Sequence, residues 1–185
     1  MITLTKAFKV LWIGMALAVG LNGLSVNERV ILVAENYIGV EETAGANRHP
    51  EIDKWNTRLG LPLGSSYCAA FVSFVLDSAE VKTPAIRTGV AQQFITKQSI
   101  SATKVSAGTV TIPAGSLVIW KRGNTWQGHV GITVADWKGP TGYTIEANTS
   151  PSDAGSQSNG DGVYRKIRRI DPTAYLRITH FTIVE

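Results

Sequence analysis

One cysteine and two short polar motifs carry the chemistry that this sequence suggests. Cys68 is the only cysteine. His129 follows Gly128 in a β-prone segment, and Glu146 and Asn148 lie two residues apart further along the chain. A thiolate is a strong nucleophile, an imidazole can take and return a proton, and a carboxylate or amide can orient that imidazole. These residue types together indicate nucleophilic catalysis at a carbonyl carbon.

A buried helix is predicted to begin at Cys68. The run 68–79 is strongly apolar, with Ser65 or Ser66 as a candidate cap for its start. The first turn of a helix carries partial positive charge, which favours a thiolate, and its free N–H groups can bind an oxyanion. We therefore interpret Cys68 as a nucleophile, although a lone cysteine is more often a small buried hydrophobe.

Two predicted strands carry the other polar side chains. His129 begins one strand, and Glu146 and Asn148 lie on the next, where residues two apart share a face. A hairpin through residues 139–140 would place the strands side by side and bring the carboxylate to the imidazole. Either Glu146 or Asn148 can be the group that fixes the orientation of His129.

The order of the elements predicts an α+β domain. Helices are expected first, over 26–37 with Ser25 as the N-cap, and from Pro50 to Leu59. Strands are expected over 116–120, 129–135, 143–148, 163–167 and 178–184, separated by turn-forming stretches. The stretch 99–113 is left as a loop or short strand. Helices followed by a meandering antiparallel sheet form an α+β fold.

Three segments stand in the same order as the motifs of a known family. They are Ser66-Tyr67-Cys68-Ala69-Ala70-Phe71-Val72, Gly128-His129-Val130-Gly131-Ile132 and Ile145-Glu146-Ala147-Asn148-Thr149. They resemble CHAP domains, the cysteine, histidine-dependent amidohydrolases/peptidases of the NlpC-like, papain-like superfamily. The resemblance extends from about Asn27 to the end of the chain.

This resemblance implies both a fold and an activity. The fold is a papain-like core in which the nucleophile helix packs on a C-terminal antiparallel sheet. The activity is cleavage of amide bonds in peptidoglycan, with Cys68, His129 and Glu146 as the catalytic residues and Asn148 assisting. The bond is that of an N-acetylmuramoyl-L-alanine amidase or of a peptide endopeptidase.

Two aromatic residues are expected to contact the substrate. Tyr67 precedes the nucleophile, where CHAP domains often carry Trp, and Trp126 lies beside the histidine motif. Some phage members bind calcium through an acidic loop before the cysteine. Here that region offers only Glu51 and Asp53, so we expect no metal and no cofactor.

Residues 1–24 are interpreted as a signal peptide or an N-terminal membrane anchor. Lys6 and Lys9 precede an apolar run, 10–21, that is short for a membrane span. Cleavage after Ala18 or Gly20 would release the protein, whereas an uncleaved run would hold it at a membrane. In both cases the catalytic domain, 25–185, is expected in the periplasm, the cell envelope or the extracellular space.

The composition excludes some partners and leaves two rival functions. With 44% hydrophobic and 17% charged residues the chain is globular. Its formal charge is +4, and the basic residues cluster only over 165–169, which is more typical of a solvated strand face than of a nucleic-acid site. We expect a monomer that binds peptidoglycan. A non-catalytic wall-binding module and an acyltransferase using the same triad remain alternatives.

Overall fold

The computed structural model describes residues 23–43, 45–151 and 160–185. The apolar run 10–21, predicted as a signal or anchor, lies outside these residues. Within the described part of the chain, no helix is long and apolar enough to span a membrane.

Helices dominate the first half of the chain. They are α1 (Val26–Glu35), α2 (Pro50–Arg58), α3 (Cys68–Ser78), a 3₁₀ helix (Ala91–Phe94) and the short α4 (Ala102–Ser106). Ser25 caps α1 in a capping box with Glu28, and Pro50 opens α2 behind an N-cap at His49. Both satisfy N–H groups that the first helical turn leaves unpaired. The predicted starts of all three long helices are confirmed.

An antiparallel six-stranded sheet forms the second half. Its strands are β1 (Ile100–Ser101), β2 (Leu117–Arg122), β3 (Gly128–Thr133), β4 (Thr141–Thr149), β5 (Gly162–Arg169) and β6 (Leu176–Thr182). They lie in the order β1-β6-β2-β3-β4-β5. The predicted hairpin joins β3 to β4, with Ile132 opposite Ile145. The stretch 99–113, which the sequence leaves unassigned, contains β1 and α4.

The sheet separates two buried clusters. The larger one joins α1, α2 and α3 to one face of the sheet and includes Ile119, Val130 and Ile145. The smaller one covers the other face and includes Val118 and Trp120. Neighbouring residues of a strand point to opposite faces, which is why Val118 and Ile119 belong to different clusters. The helix that begins at Cys68 belongs to the larger cluster, so apolar packing fixes it on that face of the sheet. This arrangement is the expected α+β fold and is compatible with a papain-like core.

Candidate active site

Cys68 is the first residue of α3 and stands at the edge of a cavity. Its side chain is 7% exposed and lines an open cavity of about 840 Å³. The expected serine cap is wrong, because the N-cap is Tyr67 and no side chain caps this helix. Ser65 instead donates its hydroxyl to the carbonyl of Pro62, at 2.7 Å. The uncapped N–H groups at the start of α3 are therefore free of side-chain competition and can bind an oxyanion.

His129 and Glu146 form a buried pair behind the nucleophile. Nε2 of His129 lies 2.9 Å from Oε2 of Glu146, and neither side chain is exposed. Since a carboxylate only accepts, Nε2 carries the proton of this hydrogen bond. Nδ1 is then the ring nitrogen that can exchange a proton with the thiol.

The ring of His129 is held by its surroundings. It meets Trp120, directly opposite in β2, edge to face with the ring centroids 5.1 Å apart. Nδ1 is buried and makes no hydrogen bond among the described residues. Cys68 nevertheless lies close enough to the ring to affect its ionisation. Catalytic hydrogen bonds are often long before substrate binds and tighten in the complex.

The charged states of this pair support each other. Burial by itself lowers the pKa of His129, but the interactions with Cys68 and Glu146 outweigh it and raise the pKa to about 9. Burial would raise the pKa of Glu146, but hydrogen bonds and charges from Arg168 and His129 outweigh it and hold the pKa well below its ordinary value of 4.5. At neutral pH the site therefore contains an imidazolium and a carboxylate.

Arg168 is a contact of the site that the sequence analysis missed. Its side chain is 11% exposed and bonds both oxygens of Glu146. The expectation that 165–169 forms a solvated strand face is therefore wrong for Arg168 and for Lys166, which is also buried. A signal was present: alternation along β5 puts Lys166 and Arg168 on one face, and the buried carboxylate on the neighbouring strand needs a cation.

Asn148 is buried but takes no visible part in the pair. It has a positive φ of 59° at a register shift in β4, so the strand does not continue its regular alternation there. Neither its amide nitrogen nor its amide oxygen has a hydrogen-bond partner among the described residues. The structure thus brings Glu146 to His129 and does not bond Asn148 to it.

Comparison with known families agrees with this arrangement. Residues 60–148 match the family model described as the CHAP domain. Over these residues the chain is similar to CHAP domains. The match contains Cys68, His129, Glu146 and Asn148, and it ends before Arg168. CHAP domains are cysteine, histidine-dependent amidohydrolases/peptidases, so the resemblance seen in the sequence is confirmed. A search of curated proteins finds no match to the chain.

The two predicted substrate contacts, Tyr67 and Trp126, occupy different places in the fold. Trp126 lines the cavity beside Cys68 and is 73% exposed. Tyr67 is fully buried, with its hydroxyl 3.4 Å from Glu42 Oε1. A side chain with no exposed surface cannot touch a substrate in this conformation, so the expected role of Tyr67 does not fit its position.

Gln92 fixes the loop that carries Trp126. Its side-chain Nε2 donates to the carbonyl oxygens of Thr125, at 2.8 Å, and Gln127, at 2.6 Å. These two carbonyls flank Trp126 in the chain. Gln92 belongs to the 3₁₀ helix on one side of the cavity, and Trp126 lies on the other side. These two hydrogen bonds therefore join two walls of the cavity, which is called the groove below. An exposed aromatic residue is thereby held at a defined position.

No metal cluster is evident in the described part of the chain. Among the described residues, no group of three His, Cys, Asp or Glu side chains is arranged to hold a metal ion. Asp53 pairs with Arg48 at 2.8 Å, and Glu51 lies 3.5 Å from Lys54. Both acidic residues considered for calcium thus have cationic partners.

Proposed function

We propose that this CHAP domain hydrolyses amide bonds in peptidoglycan, with Cys68 as nucleophile, His129 as acid and base, and Glu146 as the residue that orients His129. The observation that carries the proposal is the buried His129–Glu146 hydrogen bond behind the single thiol, at a helix start that no side chain caps. Those three features supply the proton exchange, the orientation and the oxyanion site that thiol acyl transfer requires.

The reaction follows from these positions. The Cys68 thiolate attacks the amide carbonyl, and the oxyanion that forms accepts hydrogen bonds from the free N–H groups of the first turn of α3. His129 gives its proton to the amine, which leaves as the C–N bond breaks. Water then loses a proton to His129 and attacks the thioester, and Cys68 departs as the carboxylic acid forms. Glu146 stays ionised throughout and stabilises the imidazolium.

The lining of the cavity suits an anionic substrate. It contains Arg122 and neither Asp nor Glu, whereas Arg87, which also lines it, is paired with Asp77 at 2.6 Å. Stem peptides of peptidoglycan carry carboxylates, which suit such a lining. Trp126, exposed and clamped beside Cys68, is the residue that we propose to contact the substrate directly.

Export is part of the same proposal, because peptidoglycan lies outside the cytoplasmic membrane. We propose that residues 1–24 direct the chain out of the cytoplasm, as a cleaved signal or as an anchor. Fractionation of cells that express the full chain, followed by N-terminal sequencing of the exported form, separates these two cases. Retention of the intact chain in the cytoplasm would contradict the proposal.

A digestion experiment tests the activity. Purified peptidoglycan is incubated with the protein or with Cys68→Ala, and the new termini are identified by mass spectrometry. A free L-alanine amine together with an unsubstituted muramic acid carboxyl identifies an amidase, and new termini within the stem peptide identify an endopeptidase. Binding without new termini would support a wall-binding module, and a product joined to a second amine would support an acyltransferase.

A further inference from the structure

Arg168 reaches the centre of the site from a strand outside the CHAP match. Its Nε donates to Oε1 of Glu146 at 2.7 Å, and its Nη2 donates to Oε2 at 2.5 Å. Nη2 also donates to the hydroxyl of Thr149, at 3.2 Å. The guanidinium lies over the ring of Trp120, 5.8 Å from its centroid. This planar two-bond contact is the geometry in which Arg binds a carboxylate most specifically.

We propose that Arg168 is a positioning residue of the catalytic site, which holds Glu146 ionised and with Oε2 turned toward His129. The role rests on the proposed function, because Glu146 acts there by orienting the imidazole. The residues that shape the catalytic site then include one on β5, beyond the segment that matches the CHAP family.

The hydrogen bonds of Glu146 explain how its orientation is fixed. Oε1 accepts from Arg168 and from the hydroxyl of Thr144, at 2.5 Å. Oε2 accepts from Arg168 and from His129. A carboxylate offers about four acceptor positions, and all are used here. Rotation of the carboxylate would break several of these bonds at once, so Oε2 stays directed at His129.

Charge balance gives Arg168 a second effect. In the reactive state Cys68 and Glu146 are negative, and His129 and Arg168 are positive. Without Arg168 the buried set would carry a net negative charge, which the interior disfavours.

The other ionisable side chains on the same face of β5 are engaged elsewhere. Lys166 donates its ammonium to the carbonyls of Ser150 and Pro151, at 3.1 and 3.2 Å. Tyr164 donates its hydroxyl to Glu41 and Asp161. The charged group that contacts Glu146 from β5 is therefore Arg168, and His129 contacts it from β3.

A pair of variants separates positioning from simple stabilisation. Arg168→Gln removes the charge, and Arg168→Lys keeps it while losing the two-bond geometry. In Arg168→Gln the pKa of Glu146 is no longer held down by the guanidinium, so the acid limb of kcat/KM on peptidoglycan fragments should move to higher pH. We expect kcat to fall by about tenfold or more with a smaller change in KM. In Arg168→Lys the acid limb of kcat/KM should stay near that of the wild type, and kcat should lie between the values of the wild type and Arg168→Gln.

The control is Arg165→Gln on the same strand. Arg165 is 54% exposed and pairs with Glu35, away from the site, so its loss should leave the pH profile unchanged. Far-UV circular dichroism and thermal unfolding show whether each variant is folded. If folded Arg168→Gln keeps the wild-type pH profile and kcat, Arg168 has only a structural role and the proposal is overturned.

A substrate-free measurement makes the test independent of the proposed function. Because Cys68 is the only cysteine, the rate of iodoacetamide alkylation reports on it alone. The alkylation profile of Arg168→Gln should lie at higher pH than that of the wild type and of Arg165→Gln. A shift in this profile supports the role of Arg168 even if peptidoglycan is not cleaved, and superimposable profiles would contradict it.

Discussion

Glu146 packs against Gly131 so closely that no side chain fits at residue 131. A Cβ placed there would lie 2.6 Å from Cγ of Glu146 and 3.1 Å from the carbonyl oxygen of Ile145. Both distances are shorter than ordinary van der Waals contact. The glycine in the histidine motif thus makes room for the carboxylate of the third motif, which is a physical reason for the two motifs to occur together.

This contact predicts the effect of Gly131→Ala. The added methyl group should displace the Glu146 side chain and misalign Oε2 from His129. Displacements of about 1 Å in an active site can cost about 100-fold in rate, so we expect kcat to fall by one to two orders of magnitude. Steady-state kinetics on peptidoglycan fragments measures this, with circular dichroism as the control for folding. Unchanged kcat in a folded variant would mean that Glu146 does not act on His129.

Glu146→Gln should affect both activity and stability. The substitution turns one of the two acceptor oxygens that serve His129 and Arg168 into an NH2 donor, and it leaves the Arg168 charge in the interior without its carboxylate. Breaking a buried ion pair by removing one partner costs about 3 kcal/mol or more. We therefore expect a lower midpoint in urea unfolding together with a large loss of kcat.

Asn148→Ala is the matched comparison. Its amide makes no hydrogen bond among the described residues, so its loss should reduce kcat less than Glu146→Gln does. A larger effect of Asn148→Ala would instead identify Asn148 as the residue that orients His129, the alternative that the sequence leaves open.

The stability of the protein should depend on pH through His129. The pKa of His129 is raised from its ordinary value of 6.5 to about 9 in the folded state. Protonation of His129 therefore adds to the free energy of unfolding. This contribution is complete below pH 6.5 and is lost as the pH rises through 9. The free energy of unfolding, measured in urea from pH 6 to about pH 10, should fall over this range. The His129→Gln variant should lack this pH-dependent contribution. Parallel curves of unfolding free energy against pH for the two proteins would contradict the prediction.

The sequence predicted the elements better than it predicted the contacts between them. The apolar run after Cys68 and the two-residue spacing of Glu146 and Asn148 depend on local periodicity, which sequence shows directly. The bulge at Asn148 and the burial of Tyr67 depend on how distant segments pack. Arg168 was missed for the same reason, because a basic strand has the same local pattern whether it faces solvent or a buried carboxylate.

Trp126 and the Gln92 clamp that holds its loop should determine how tightly substrate binds. Trp126→Ala removes an exposed ring beside Cys68, so KM for peptidoglycan fragments should rise several-fold, about 1 kcal/mol in binding, with little change in kcat. Gln92→Ala frees the loop on both sides of Trp126 and should raise KM in the same direction by a smaller factor. Tyr143→Ala is the control, because Tyr143 is 55% exposed but does not line the cavity. An equal change in KM for Tyr143→Ala and Trp126→Ala would show that loss of an exposed aromatic ring, rather than contact with substrate in the groove, causes the effect.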